Sequence, residues 1–211
     1  MYKVEATGDV LRIVGQRQAV SAAAPSGAVG DTSSQIEAAL VEAVRRDGDR
    51  EAFGQLYSAY ARMVHGILLA RVPYAEVSDL VQDVFLHALK KLDSLRDPTA
   101  FGPWLAMITR NRAMDFHRRA RDTTELSEQM AATGGGASPR AEANEALAFI
   151  RELPEAYREP LILRFVEGMT GPEIAERTGL QPASVRVNIH RGMKLLREKI
   201  AAAAAGGGKE H

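Results

Sequence analysis

The 211-residue sequence predicts an all-α protein of two small helical domains joined by a flexible linker, on three observations. Apolar residues recur at three- and four-residue spacing across 34–121 and again across 145–203, the period of a helix with one buried face. Alternation of apolar and polar residues is never sustained; "VLRIV" near the N-terminus could form a short strand, but nothing nearby would pair with it. Between the two periodic blocks lies "DTTELSEQMAATGGGASPRAEAN" (122–144), with a Gly triplet, a Ser-Pro step and four acids against one base.

Taken in order, residues 1–33 mix Gly, Ala, Ser and Val without a period and are expected to form a disordered extension. A first helix starts behind a Ser/Thr cap at Ser34 and turns Ile36, Leu40, Val41 and Val44 inward. The second carries Phe53, Leu56, Tyr57, Tyr60, Val64, Ile67 and Leu68 on its buried side and ends at Pro73. In the third, "EVSDLVQDVFLHALKKL", Leu80, Val81, Val84, Phe85 and Ala88 face the core. "DSLRDPTA" is a polar loop, and "FGPWLAMITRNRAMDFHRRAR" a fourth helix with Pro103 tolerated in its first turn. Residues 145–203 form the second domain, and 204–211 a disordered tail.

Composition removes several classes of function. Lys and Arg total 27, as do Asp and Glu, so the formal net charge is zero. The absence of cysteine excludes disulfides, thiolate-ligated metals and a thiol nucleophile. No cofactor is expected: the histidines at 65, 87, 117, 190 and 211 include no i,i+3 or i,i+4 pair, and no Gly-rich phosphate loop opens a helix. Nor is a nucleophile–base pair discernible, which leaves a helical enzyme with little support. No apolar stretch approaches the ~18–20 residues of a transmembrane span. Glu5, Asp9, Arg12 and Arg17 interrupt any signal-like segment before Ala22-Ala23-Ala24, so a cytoplasmic protein without direct membrane insertion is expected.

The neutral total conceals two basic windows. Arg110–Arg121 holds five arginines against Asp115, and Arg186–Lys199 holds five bases against Glu198. Two such windows in separate segments suggest two phosphate-facing surfaces.

The second window lies in a helix-turn-helix pattern, "GPEIAERTGLQPASVRVNIHRGMKLLREKI". Pro172 starts a helix, small Ala175 permits a close crossing, Gly179 supplies a positive-φ stop, Leu180 plugs the core and Pro182 opens the next helix. At 100° per residue, Val185, Ile189, Met193, Leu196 and Ile200 share one buried stripe. Arg186, His190, Lys194 and Arg197 fall on a neighbouring face, with Val187 and Arg191 beside it, the chemistry of a major-groove reader. On the fourth helix, Phe101, Leu105, Ile108 and Phe116 make a core face. Trp104, Asn111 and Arg118 line up on another, where an aromatic, an amide and a guanidinium suit single-stranded DNA.

Together, "DLVQDVFLHALKKL", "FGPWLAMITRNRAMDFHRR" and "LPEAYREPLILRFVEGMTGPEIAERTGLQPASVRVNIHRGMKLLRE" resemble regions 2.2, 2.3–2.4 and 4 of the extracytoplasmic-function (ECF) sigma factors, the two-domain branch of the sigma-70 family. The resemblance implies that residues 34–121 are sigma region 2, 145–203 are sigma region 4, and the protein is a promoter-recognition subunit of bacterial RNA polymerase. It implies −10 contacts from Ser94, Leu95, Arg96, Asp97, Trp104, Asn111, Arg118 and Arg119, with the Ser94–Phe101 loop pocketing a flipped base. It implies −35 contacts from Arg186, Val187, His190, Arg191 and Lys194, with Val187 suited to a thymine methyl group. It places Asp79, Gln82, Asp83 and Leu86 against the β′ clamp helices of core polymerase, Gln82-Asp83 standing where the family usually has Gln-Glu. The partners it implies are core polymerase (β′ clamp helices and β flap), promoter DNA and an anti-sigma factor, with the protein at the nucleoid when active. The rival reading from the residues alone is a stand-alone helix-turn-helix regulator.

The linker's reach bears on this reading. Its 23 residues span at most ~75 Å extended, but ~26 Å as a random coil. Two DNA elements two helical turns apart are separated by ~70 Å. A linker serving both readers on one duplex must therefore be held open.

Overall fold

The computed structural model describes residues 29–124 and 147–206, and every regular element among them is helical. Helices α1 (Val29–Asp47), α2 (Arg50–Leu69), α3 (Tyr74–Lys91) and α4 (Phe101–Thr124) build the first domain. Helical residues 147–151, then α5 (Glu155–Phe165), α6 (Gly171–Thr178) and α7 (Pro182–Gly206), build the second. Disorder is expected over 1–33 and 204–211 and flexibility over 122–144, but residues 29–33, 122–124 and 204–206 are helical, as continuations of α1, α4 and α7; the remainder of those three segments lies outside the described residues.

Local chemistry sets the helix ends. Gly48, at φ 62°, turns the chain between α1 and α2, and the Asp49 carboxylate caps α2 by accepting from the amides of Glu51 (2.8 Å) and Ala52 (3.1 Å). α1 begins at Val29, ahead of the Ser34 cap expected from sequence, because a helix anchored by packing further along extends backward at little cost. α2 closes at Leu69, and Pro73 caps the start of α3 rather than ending α2. The loop after α3 contains two single 3-10 turns, Leu92–Ser94 and Pro98–Ala100.

The core of the first domain matches the helical arithmetic with two exceptions, Ile36 and Tyr57, the latter 39% exposed although expected on the buried side of α2. Leu56, Tyr60, Val64, Ile67, Val84, Phe85, Phe101 and Leu105 are buried, whereas Ile36 is 58% exposed. Val41 and Val44 are buried and Leu40 half-buried, which centres the buried face of α1 about 110° from Ile36.

In the second domain α6 opens on a capping box. The Thr170 hydroxyl accepts from the Glu173 amide, and the Glu173 carboxylate accepts from the Thr170 amide, each at 3.3 Å. Gly179 stops α6 at φ 73°. Val185, Met193, Leu196 and Ile200 are buried along α7.

The two domains pack directly on each other, and their buried side chains form one continuous cluster. Glycines allow the approach. A Cβ on Gly66 of α2 would sit 2.7 Å from Leu163 Cδ2 of α5, and one on Gly102 of α4 would sit 3.0 Å from the Arg177 carbonyl of α6. Sequence periodicity identifies each domain's own core but holds no sign of this contact.

Candidate nucleic-acid and polymerase interface

On α7, Arg186, Val187, His190, Arg191 and Lys194 are all exposed, outside the buried stripe, with Arg186 at its border. Among the described residues, Arg186, Arg191 and Arg197 pair with no carboxylate, whereas Lys194 lies 4.0 Å from Glu198 and Lys199 2.8 Å from Glu152. A groove runs from this face to the entrance of α6, bordered by Arg164, Gly171, Pro172, Arg186, His190 and Arg197. Its three guanidiniums and concave shape suit a phosphodiester backbone.

The first basic window is used differently from the expectation. Arg110 Nη2 and Nε contact the Glu159 carboxylate at 2.6 and 3.1 Å, and Arg112 Nη2 lies 2.7 Å from His87 Nδ1 and its Nη1 3.9 Å from Asp83. Burial, then the Arg112 charge, lowers the His87 pKa, so its neutral ring accepts from the guanidinium. Two of the five arginines therefore serve the fold, not a phosphate-facing surface. Arg118 is exposed with a 3.0 Å contact to Asp115, and Arg119 and Asn111 are exposed as well.

Trp104 is half-buried against Phe101, ring centroids 5.8 Å apart, which leaves part of the indole open. Met107 (51% exposed) and Met114 (67%) continue the Trp104–Asn111–Arg118 face, and sequence reasoning passed over both. The signal was available, because residues 104, 107, 111, 114 and 118 advance by three or four. The face thus offers two polarizable apolar side chains between its polar groups.

The Ser94–Phe101 loop divides in function. Ser94, Arg96 and Asp97 are exposed, but Leu95 is 5% exposed and points into the core. Leu95 cannot reach a base as expected; it anchors the loop, because a residue flanked by polar neighbours in a tight turn is free to plug inward. Arg45 of α1 holds the same segment from below, donating to the carbonyls of Leu95 (2.6 Å) and Leu92 (3.3 Å). Asp97 accepts from the Thr99 hydroxyl (2.7 Å) and amide (3.0 Å), and these bonds lower its carboxyl pKa.

On α3, Asp79, Gln82, Asp83 and Leu86 are exposed together, Leu86 at 55%. Leu89, one turn on, is 42% exposed and extends the apolar part of this face. A groove between α2 and α3 adjoins it, bordered by Tyr57, Arg62, His65, Ser78 and Gln82.

Two sigma-70 family models match the chain, region 2 over residues 56–123 and region 4 over 143–196. The ECF RNA polymerase sigma-E factor of Haemophilus influenzae is 32% identical over 178 residues, covering 77% of this chain and 94% of the relative. The chain belongs to the ECF branch of the sigma-70 family. The probable RNA polymerase sigma factor RfaY of Xanthomonas campestris is 32% identical over 165 residues; the match covers 72% of this chain but only 41% of that longer protein. Among solved structures, CnrH in complex with the cytosolic domain of CnrY matches at TM-score 0.56 and 26% identity, covering 79% of this chain and 98% of that one. In this sigma factor, no described helix is long and apolar enough to cross a membrane.

Beside the α2–α3 groove, His65 Nδ1 lies 2.7 Å from Glu167 of the second domain. The hydrogen bond to Glu167 raises the imidazole pKa above its ordinary 6.5; partial burial opposes this, and the Glu167 charge adds to it. Arg62, one turn earlier, donates to the Glu167 carbonyl (3.2 Å) and lies 3.6 Å from Glu173. A raised histidine pKa contributes stability that is fully present below about 6.5, the unfolded value, and is lost as pH rises through the folded one. Thermal melts on either side of neutrality are expected to show wild type losing stability over this interval and His65→Gln following a flatter curve. Parallel curves would exclude this role for His65.

Proposed function

We propose that this sigma factor directs core RNA polymerase to promoters through three faces. Arg186, Val187, His190, Arg191 and Lys194 read the −35 element as duplex. Trp104, Asn111, Arg118 and Arg119, with the exposed loop residues Ser94, Arg96 and Asp97, capture the −10 strand as it unpairs. Asp79, Gln82, Asp83 and Leu86 dock on the β′ clamp helices, while the second domain meets the β flap. No bond is made or broken and no cofactor takes part. Each base stacked on an aromatic is worth ~1–3 kcal/mol, and this binding energy draws the duplex open. The work is done in the cytoplasm, at the nucleoid. An anti-sigma protein is the regulatory partner; support comes from the match to CnrH, whose structure includes the cytosolic domain of CnrY.

The observation that carries the reading is the coexistence in one chain of an exposed basic helix face after a Gly179 turn, whose Arg186 and Arg191 pair with no carboxylate among the described residues, and an exposed acid–amide–leucine face on α3. Run-off transcription on genomic fragments with purified core polymerase tests it. Defined start sites should require the added protein. Asp79→Lys with Asp83→Lys should cut association with core by about tenfold or more, the equivalent of 1.4 kcal/mol, without altering the fold. Start sites that persist without the protein would refute the reading. Tight operator binding that ignores polymerase would favour the stand-alone regulator.

A further inference from the structure

We propose that the second domain is a built-in inhibitor of the first: it docks on α2 and α4 through its buried Glu159, held between the half-buried Arg71 and Arg110, and the chain engages a promoter only after this contact opens. Glu159 of α5 is 4% exposed, and both of its partners belong to the first domain. Arg71 Nη1 lies 2.8 Å from its carboxylate and Arg110 Nη2 2.6 Å, with Arg110 also 3.4 Å from the Thr178 carbonyl. A carboxylate this buried requires paired charges, and here only docking provides them.

The surrounding contacts are equally specific. Arg177 of α6 donates to the Ala59 carbonyl, and its guanidinium carbon lies 5.0 Å from the centroid of the Tyr60 ring. Arg151 donates to the carbonyls of Leu69 (3.1 Å) and Val72 (3.0 Å), closing the C-terminal end of α2. Gly179, the glycine of the helix-turn-helix, sits against Pro103, the third residue of the strand-reading helix α4.

Geometry makes docking and promoter binding mutually exclusive. A compact body of about 150 residues has a radius of gyration near 15 Å and is roughly 40 Å across. The −10 and −35 readers must reach sites ~70 Å apart on duplex DNA. The docked domains cannot span that distance, so every contact above breaks in the active state. This inference rests on the proposed function, since it requires both readers to occupy one promoter.

The absence of cysteine makes the test clean. A Cβ on Gly179 would lie 3.1 Å from Pro103 Cβ, a few tenths of an ångström closer than the ~3.5–4.5 Å of a disulfide, so a small relaxation brings the pair into range. Pro103→Cys with Gly179→Cys should crosslink under mild oxidant in the free full-length chain. The oxidised protein is expected to lose about tenfold or more of its promoter-directed transcription, as a shift of that size in a two-state equilibrium requires. Dithiothreitol should restore it, and the single variants should ignore oxidant. Failure to crosslink, or full activity when crosslinked, overturns the inference. If wild type starts no transcripts with core polymerase, the sigma assignment itself fails, which is a separate result. Glu159→Gln covers the case in which cysteine at the left-handed Gly179 spoils the turn. It should bind core polymerase several-fold more tightly by weakening the docked state, and unchanged or weaker binding would count against the proposal.

Discussion

Replacing Arg186 and Arg191 together with alanine is expected to reduce promoter-directed transcription by roughly 30- to 10⁴-fold, taking ~1–3 kcal/mol for each lost guanidinium contact to a base and tenfold for each 1.4 kcal/mol. Both side chains are exposed on α7, and neither pairs with a carboxylate among the described residues, so no internal partner is stranded by their removal. Neither belongs to the buried stripe of Val185, Met193, Leu196 and Ile200, so the melting temperature should hardly move. The loss should therefore appear as blindness to the upstream element. Templates with that element scrambled should serve wild type and variant equally poorly, and core association should be unchanged. Arginine-to-lysine at the same positions separates two roles, because lysine keeps the charge but not the planar fork. A phosphate contact should survive that change, whereas base readout should not. A double alanine variant that still discriminates between the templates would place −35 reading elsewhere.

Much of the fold was legible because helical packing writes itself at short range. Apolar residues three and four apart announce each helix, and Gly179 followed by Leu180 and Pro182 announces the turn. What periodicity cannot say is whether a given face has a neighbour. Ile36 stands at helical spacing from Leu40, yet the buried face of α1 centres about 110° away on Val41 and Val44, and Ile36 stays exposed. Leu95 shows the converse. Its polar neighbours mark it as loop, but a loop tied down by Arg45 can send one side chain inward.

The candidate site was legible in outline only, for an electrostatic reason. Charge counted along the chain registers a base as available until its partner is known, and the partners here are remote. Arg110 is neutralised by a carboxylate 49 positions away, and Arg177 is drawn to a carbonyl 118 positions away. Among the described residues, Arg186, Arg191 and Arg197 of the α7 window pair with no carboxylate, because its single acid, Glu198, lies near its C-terminal end beside Lys194. A basic window is thus an upper bound on a phosphate surface, and tertiary contacts decide how much of it remains.

Gly66→Leu is expected to push the domains apart while making α2 itself a better helix. Gly66 lies in the interior of α2, where leucine gains up to ~1 kcal/mol of intrinsic helix stability over glycine. That gain is present whether the domains are docked or apart, so it cancels from the docking equilibrium. The steric term does not cancel. Even a single Cβ would lie 2.7 Å from Leu163 Cδ2 and 2.8 Å from Glu167 Cγ. Those atoms belong to flexible side chains and yield to a methyl group, but an isobutyl group demands displacement of the whole face. Overpacking of this kind costs typically ~1–3 kcal/mol, which shifts the docked population by about 5- to 150-fold. Moving Glu167 also separates it from His65, so the contact that raises the histidine pKa goes with it. Two readouts of opposite sign follow from one substitution. Disulfide formation between cysteines at 103 and 179 should slow by the docking factor, while association with core polymerase should accelerate. Crosslinking at the parental rate would mean that the face around Gly66 is not what holds the two domains together.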